Sequence, residues 1–366
     1  MRPLHKGFPI GESLAIAVSG TSEIILLDPM AKLIWEALYQ GFTAEEIANL
    51  LSEGTNISAV DALLDVSGII GEWQKSKLLV EHKASTTQIL KVGQRIITLE
   101  NQCSDVGELI ANAVNHLEVS TEHKTHCLFQ LLDKGETIDL IKNGKCLYSA
   151  PYADAIAQRL IYEIVEEGYR HLDFITVLHA AALKWKGHCF VMPAKGGSGK
   201  TTLAAALMHQ GAEYLADDVV PLLSKEGDIC PLRTSLCLKE HSWKLLQPSF
   251  PFIANSPILM RDGNPVRFLP PSSGISDEGE KLTTQLIIFP KYKTTNQPKL
   301  QPLNSVDTLK KLISNSTWFG ESVTNNRLEE LVYWCNSADA YEMSFDNLEN
   351  GIYLLNGLLD KKNQHS

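Results

Sequence analysis

The residues best suited to chemistry form a glycine-rich run that ends in a lysine and two threonines. Glycines allow successive backbone N–H groups to converge on phosphate oxygens, and a lysine after them can reach the terminal phosphates. A hydroxyl directly after that lysine is a Mg²⁺ ligand in such loops. The run predicts an ATP and Mg²⁺ site, with Thr201 on the metal, made of Lys195, Gly196, Gly197, Ser198, Gly199, Lys200, Thr201 and Thr202.

The segments on either side of this run have the order that a phosphate loop needs. Residues 188–192 read as a buried strand, and the helical spacing of Leu203, Ala206 and Leu207 predicts a helix that stops at Gly211. The helix N-terminus adds partial positive charge next to the loop. The run departs from G-x-x-x-x-G-K-[ST] at Ala194, where the smallest side chain replaces glycine. We therefore expect a modest change in loop shape and retained phosphate binding.

Two adjacent carboxylates, Asp217 and Asp218, begin 17 residues after Lys200. One helix and one strand would return the chain to the loop, so these carboxylates are expected near the phosphates. A carboxylate there can hold Mg²⁺ or accept a hydroxyl proton. The alternative is a solvated strand end, where paired aspartates are common.

The segment from about residue 177 to 223 resembles the HPr serine kinases. Leu178-His179-Ala180-Ala181-Ala182, the glycine-rich run, and the segment from Gly211 to Ala216-Asp217-Asp218 carry the resemblance. It implies an α/β P-loop core like that of HPr kinase and PEP carboxykinase. It further implies Asp217 as the base that activates a hydroxyl, Asp218 as Mg²⁺ support, with the two roles open to exchange, and His179 beside the transferred phosphate. Without the resemblance, His179 reads as a core histidine in an apolar strand.

Cations after the acidic pair could neutralise charge that develops during phosphoryl transfer. Arg233 and Lys239 are the candidates, with Arg267 a weaker one, and solvated surface cations are the alternative. The arginine- and glycine-rich segment with which HPr kinases engage their carrier protein is not found. HPr itself is therefore not expected to be the substrate.

The N-terminal part of the chain carries three successive helix signals. Asp28-Pro29 starts the first, Thr43 and Glu46 form a capping box for the second, and Ser58 starts the third. The second is expected to bury Ile47, Leu50 and Leu51, and the third presents Val60, Leu63, Leu64, Ile70 and Trp73. Three short helices with flanking strands predict a winged-helix-like unit.

This unit resembles the PqqD-like domains, which bind leader segments of precursor peptides for modifying enzymes. The matching residues are Leu27-Asp28-Pro29-Met30-Ala31, Ile34-Trp35, residues 43–48 and Leu78-Leu79. The resemblance implies peptide binding, and a purely structural cap or a DNA-binding winged helix are the alternatives. Charge weighs against DNA, because residues 27–80 contain eight acidic side chains and three lysines.

Composition limits the partners of the chain. A formal net charge of −10 disfavours nucleic acid and anionic membrane surfaces, and no basic run offsets it. No signal peptide or membrane-spanning stretch is recognised, and the seven cysteines form no C-x-x-C pair, so a cytoplasmic protein with reduced thiols is expected. A homo-oligomer stays open.

These observations predict an α/β protein of two domains. A PqqD-like winged-helix peptide-binding domain is expected over residues 1–83 and an HPr kinase-like P-loop domain over 84–366, with a β-rich lead-in at 84–150 and the catalytic core at 151–366. The function predicted is an ATP-dependent kinase for a Ser or Thr hydroxyl on a ribosomally made precursor peptide or small protein. An ATP-hydrolysing switch or assembly factor and a small-molecule hydroxyl kinase are the alternatives.

Overall fold

The structure is a computed structural model of the chain. It describes residues 2–3, 7–17, 23–40, 42–55, 57–76, 78–80, 86–120, 125–271, 282–293, 297–314, 317–320 and 322–365. The fold is mixed α/β and divides into two compact units. Unit 1 comprises Met1–Gln88, Thr98–Ser104 and Cys127–Ile156, and unit 2 comprises Ile89–Ile97, Asp105–His126 and Ala157–Ser366. The predicted boundary between residues 83 and 84 lies outside the described residues and stays a prediction.

The N-terminal part of unit 1 contains a small sheet and three helices. Its elements are β1 (Arg2–Pro3), β2 (Gly7–Ile10), β3 (Ser13–Ala17), β4 (Ile24–Leu27), α1 (Pro29–Gln40), α2 (Ala44–Gly54), α3 (Ala59–Lys75) and β5 (Leu79–Val80). Strands β2, β3 and β4 form an antiparallel sheet in that order, and β1 pairs with β5. All three predicted helices are present.

Local capping chemistry starts these helices where the sequence predicts. The Glu46 N–H donates to Thr43 Oγ1 at 3.2 Å, and the Thr43 N–H donates to Glu46 Oε2 at 2.7 Å, so the capping box is formed. The Ala31 N–H donates to Asp28 Oδ1 at 2.8 Å. These bonds satisfy amides that the helices themselves leave without acceptors.

Three of the apolar residues that the periodicity of α2 and α3 singles out are exposed, and for Leu50 this differs from the predicted burial. Trp35 and Trp73 pack edge to face at 5.3 Å in the core of this region. Leu50 of α2 is 53% exposed, and Val60 and Leu64 of α3 are 70% and 67% exposed. The apolar stripe of each helix is therefore wider than the face that its neighbours cover.

The middle of the chain is rich in strands. Its elements are β6 (Thr86–Val92), β7 (Arg95–Asn101), α4 (Ser104–Val114), a 3₁₀ turn at Asn115–Leu117, β8 (Cys127–Asp133), β9 (Ile138–Lys142) and β10 (Lys145–Ala150). In unit 1, β9 pairs antiparallel with both β8 and β10. The Asn143-Gly144 turn joins β9 to β10, and both residues of the turn have positive φ.

The larger part of unit 2 is built on a six-stranded sheet. The chain runs through α5 (Ala153–Tyr169), β11 (Thr176–Leu178), β12 (Ala180–Trp185), β13 (His188–Pro193), α6 (Lys200–His209), β14 (Glu213–Asp217), β15 (Val220–Leu222), β16 (Leu236–Lys239), α7 (Glu240–Leu246), a 3₁₀ turn at Pro251–Asn255, β17 (Leu259–Arg261), β18 (Asn264–Leu269), β19 (Leu286–Tyr292), β20 (Lys299–Leu303), α8 (Ser305–Ser314), β21 (Thr317–Trp318), α9 (Asn325–Ser337), β22 (Asp339–Phe345) and α10 (Leu348–His365). The strand order is β14-β12-β13-β19-β22-β20. Strands β13, β19 and β22 are parallel.

Two hydrophobic cores sandwich this sheet. Phe190 and Met192 belong to one core with residues of α6 and α10, whereas Val191 belongs to the other with residues of α8 and α9. Alternation along a strand sends neighbouring side chains to opposite faces, so residues 190–193 of β13 are all apolar and buried. Within the described ranges, no helix has the length and apolar character needed to cross a bilayer.

Candidate functional site

The glycine-rich run is the connection between β13 and α6. Gly197 and Gly199 have φ of 84° and 86°, values that favour glycine. A Cβ added at Gly199 would lie 3.1 Å from Tyr292 Cβ and 3.3 Å from Phe345 Cζ, so space as well as conformation requires glycine there. The Leu203 N–H donates to the Gly199 carbonyl at 2.9 Å as α6 begins. The backbone amides before Leu203 therefore have no acceptor within the helix itself.

Lys200 lies between the two predicted carboxylates. Its Nζ is 2.8 Å from Asp218 Oδ1 and 3.2 Å from Asp217 Oδ1, and the side chain is only 4% exposed. Strand β14 brings the carboxylates here, because it pairs with β12, which pairs with β13. Burial alone would lower the pKa of Lys200, but the two carboxylates raise that pKa above its ordinary value. The lysine is therefore held as a cation.

The two carboxylates have different surroundings. Asp217 has a side chain that is 1% exposed, and neither of its oxygens has a hydrogen bond of good geometry. Burial raises the pKa of Asp217, against the opposing effect of the Lys200 charge. For Asp218, burial also favours the neutral form, but the Lys200 charge and hydrogen bond outweigh it and lower its pKa. Asp218 is therefore the more acidic member of the pair, and it lines the pocket over the loop, whereas Asp217 does not.

The backbone of Asp218 has a φ of 65°, which is uncommon for a residue other than glycine. Such conformations persist where the surrounding structure enforces them, and they cluster at functional sites. The surrounding structure therefore fixes the position of the Asp218 carboxylate.

His179 follows β11 directly and reaches the same carboxylate. Its Nδ1 lies 3.9 Å from Asp218 Oδ1, and its carbonyl accepts a hydrogen bond from the Ala194 N–H at 3.2 Å. Burial, and then the Lys200 charge, lower the pKa of His179. The imidazole is therefore expected to be neutral at pH 7 and able to exchange a proton.

A pocket of about 230 Å³ lies over the loop. Besides residues 195–202 and His179, it is lined by Asp218, Cys237, Lys239, His241, Ser242, Arg261, Asp262, Asn264 and Val266. The lining contains four lysine and arginine side chains against two carboxylates, in a chain whose formal net charge is −10. The pocket therefore suits an anion.

Of the cations predicted to neutralise phosphoryl charge, only Lys239 lies in the pocket lining. Its Nζ is 3.8 Å from the position that a Cβ on Gly196 would occupy. The Arg233 guanidinium instead lies 3.2 Å from Glu213, and the Arg233 carbonyl is 2.8 Å from His116 Nε2. Arg267 stacks on Trp243 at 4.4 Å. The structure does not bring Arg233 or Arg267 to the loop.

Arg261 is a site residue that sequence reasoning missed. Its Nη1 lies 3.5 Å from Asp218 Oδ2, and it stands at the end of β17, where the Asp262-Gly263 turn leads into β18. The dipeptide Asp-Gly is a hairpin signal that the sequence did contain. Nothing local, however, relates Arg261 to a carboxylate 43 residues earlier.

The described part of the chain contains no group of three or more His, Cys, Asp or Glu side chains that could hold a metal ion. An ion at this site would have few protein ligands. Thr201 and Asp218 are the candidates, and both line the pocket.

The fold and site define a mixed α/β protein that has a helical N-terminal region and a basic pocket over a glycine-rich loop. Residues 15–79 match the family model described as Coenzyme PQQ synthesis protein D (PqqD). The chain therefore contains a PqqD-like domain, which confirms that part of the resemblance. A search of curated proteins found no match to the chain. The resemblance to HPr kinases stays a prediction.

Proposed function

We propose that the protein is an ATP-dependent kinase that phosphorylates a Ser or Thr hydroxyl on a ribosomally made precursor peptide. The observation that carries the proposal is the buried Lys200 ammonium, held by Asp217 and Asp218 at the end of a glycine-rich loop. In phosphoryl transfer a cation can stabilise phosphate charge, an ionised carboxylate can hold Mg²⁺, and a second carboxylate can accept the hydroxyl proton.

The residues present fit a nucleotide triphosphate and Mg²⁺. Gly197 and Gly199 have the positive φ of a loop that turns backbone amides toward an anion, and the pocket lining is basic. Lys200 and the amides of the loop would hold phosphates, and Thr201 and Asp218 would hold the ion. Mg²⁺ commonly uses one or two carboxylates together with substrate phosphates, so a sparse ligand set suits it. When bound, Mg·ATP supplies the phosphoryl group.

The chain's own residues can then manage the proton and the charge. The resemblance to HPr kinases makes Asp217 the acceptor of the proton of the substrate hydroxyl, and burial raises its pKa toward the working range of a base. Of the two carboxylates, however, only Asp218 lines the pocket. His179 is a neutral neighbour that could relay this proton. Lys200, Lys239 and Arg261 would stabilise negative charge on the transferred group. Asp217 and Asp218 could exchange roles.

The PqqD-like domain supports a peptide as the substrate, because domains of this type bind leader segments of precursor peptides. Strand β4 lies at one end of its three-stranded sheet. Ile24 and Leu26 of β4 are 77% and 65% exposed, whereas Leu27 is buried. An extended peptide can add to such an edge through backbone hydrogen bonds, with apolar side chains giving specificity.

The test is to follow the γ-phosphate of labelled ATP in the presence of a precursor peptide encoded beside the protein. Stoichiometric labelling of a Ser or Thr on the peptide would support the proposal, and phosphoamino-acid analysis would identify the residue. Label recovered only as free phosphate would favour the ATP-hydrolysing switch. Lys200→Ala is the negative control, and Lys310→Ala, at an exposed lysine of α8 outside the pocket, is the matched variant that should label the peptide like the parent protein.

A further inference from the structure

An exposed aromatic ring stands beside the glycine-rich loop but outside the lining of the pocket. Tyr292 ends β19 and is 55% exposed. Its ring packs edge to face on the buried Phe345, with centroids 5.9 Å apart and an interplanar angle of 67°. The ring is therefore supported by the core on one side and open to solvent on another.

The strand end that carries this ring is bonded to the loop. The Tyr292 N–H donates to the Ser198 carbonyl at 2.9 Å. The closeness of Tyr292 Cβ to Gly199, where an added Cβ would lie at 3.1 Å, also leaves little room for movement. The Lys293 N–H donates to the Phe345 carbonyl at 3.0 Å, which ties the next residue to β22. The position of Tyr292 relative to the loop is thus set by backbone contacts.

The strand order puts Tyr292 and the acidic pair on opposite sides of the loop. Strand β13 leads into the loop; β12 and β14, which carries Asp217, follow on one side of it, and β19 follows on the other. Strands β13 and β19 are parallel, so their carboxyl ends share one edge of the sheet, where ligands of open α/β sheets bind. An elongated ligand with its terminal phosphate at Lys200 and Asp218 has its other end free to extend toward β19.

The pocket itself offers a poor place for an apolar ring. Among the described residues that line it there is no Phe, Tyr or Trp, and the wall formed by β16, β17 and β18 carries Lys239, Arg261 and Asp262. Such a wall suits phosphate oxygens. Nucleobases stack on exposed aromatic side chains regardless of sequence, because every base has a π-face.

We propose that the Tyr292 ring is the stacking platform for the base of the nucleotide whose phosphates the loop binds. This inference rests on the proposed function, since it requires a nucleotide in the loop. It assigns a base subsite to the carboxyl end of β19, on the side of the loop away from the proton-accepting carboxylate. Recognition is by the π-face, so adenine and guanine nucleotides should both bind.

The test compares ATP with inorganic tripolyphosphate, which has the same phosphate chain and no base, by isothermal titration with Mg²⁺. Tyr292→Leu keeps an apolar side chain against Phe345 but removes the π-face. Stacking is worth roughly 1–3 kcal/mol per base, so ATP affinity should fall about 5- to 140-fold while tripolyphosphate affinity is unchanged. Tyr292→Phe should bind ATP like the parent protein. Tyr333→Leu, at a tyrosine that is 51% exposed on α9, is the matched control.

Each other outcome overturns the inference in a distinguishable way. Equal losses for ATP and tripolyphosphate would mean that Tyr292 only supports the loop. Unchanged ATP affinity in Tyr292→Leu, with a loss in His241→Ala, would put the base against His241 in the pocket. A parent protein that binds tripolyphosphate as tightly as ATP has no base subsite, although the phosphate site stands. A parent protein that binds neither ligand would refute the proposed function as well.

Discussion

Replacing Lys200 with methionine should destabilise the protein, because it leaves the Asp217 carboxylate buried without a counter-charge. The Asp217 side chain is 1% exposed, with Lys200 Nζ 3.2 Å away. Without the lysine, protonating Asp217 costs less free energy than keeping its charge buried. For a carboxyl with an ordinary pKa of about 3.9, protonation at pH 7 costs about 4 kcal/mol. Burial raises the pKa of Asp217 to about 6 in the parent protein, so about 3 kcal/mol of this cost is already present there and the variant loses about 1.5 kcal/mol more.

The sign of the pH dependence follows from the same reasoning. In Lys200→Met the folded protein holds a proton that the unfolded chain releases above about pH 4, so its stability falls as the pH rises. The parent protein takes up the same proton as the pH falls through about 6, so the deficit against the parent protein should be largely gone at pH 5. For a folding unit of about 150–250 residues, we expect a melting temperature lower by about 3–6 °C at pH 7 and nearly that of the parent protein at pH 5.

Differential scanning calorimetry of the full chain at both pH values measures this effect. Lys195→Met, at an exposed lysine of the same loop, should melt with the parent protein. Adding Asp217→Asn to Lys200→Met should restore most of the lost melting temperature at pH 7, because the buried amide is uncharged and needs no counter-charge. An unchanged melting temperature at pH 7, or a deficit that grows as the pH is lowered, would refute the buried-pair reasoning.

Three further predictions concern the proposed reaction and its substrate. Asp217→Asn should keep Mg·ATP affinity but slow phosphoryl transfer by about 10²–10⁴-fold in single-turnover assays, and near-parental transfer would remove its assignment as the base. Asp218→Asn should instead raise the Mg²⁺ concentration needed for half-maximal ATP binding, because it removes a ligand charge; an unchanged Mg²⁺ titration would contradict this. Leu26→Asp should raise the KM for the precursor peptide with ATP affinity unchanged, because the side chain is 65% exposed on an edge strand. Val306→Asp, at an equally exposed residue of α8, is the control, and equal KM values for the two variants would argue against strand β4 as the peptide site.

Helix starts could be predicted from the sequence because capping is a local interaction. Thr43 and Glu46 satisfy each other's backbone amides within one turn, so residue type and spacing define the start of α2. The periodicity of α3 likewise predicted a helix, but not which apolar side chains would be covered. Val60 and Leu64 are exposed because coverage depends on neighbouring elements, which the spacing within one helix does not specify.

The sequence by itself determined the strand, loop and helix order around Lys200, since each element follows from a short run of residues. It also indicated that one helix and one strand return the chain to Asp217, and the sheet register brings that carboxylate within 3.2 Å of Lys200 Nζ. Only the tertiary structure decided which distant cations join the site. Arg261 reaches Asp218 and Arg233 turns to Glu213, because hairpin packing and sheet register set those distances. The burial of Lys200, which changes it from a solvated charge to half of a buried pair, is likewise a property of the assembled sheet and helices.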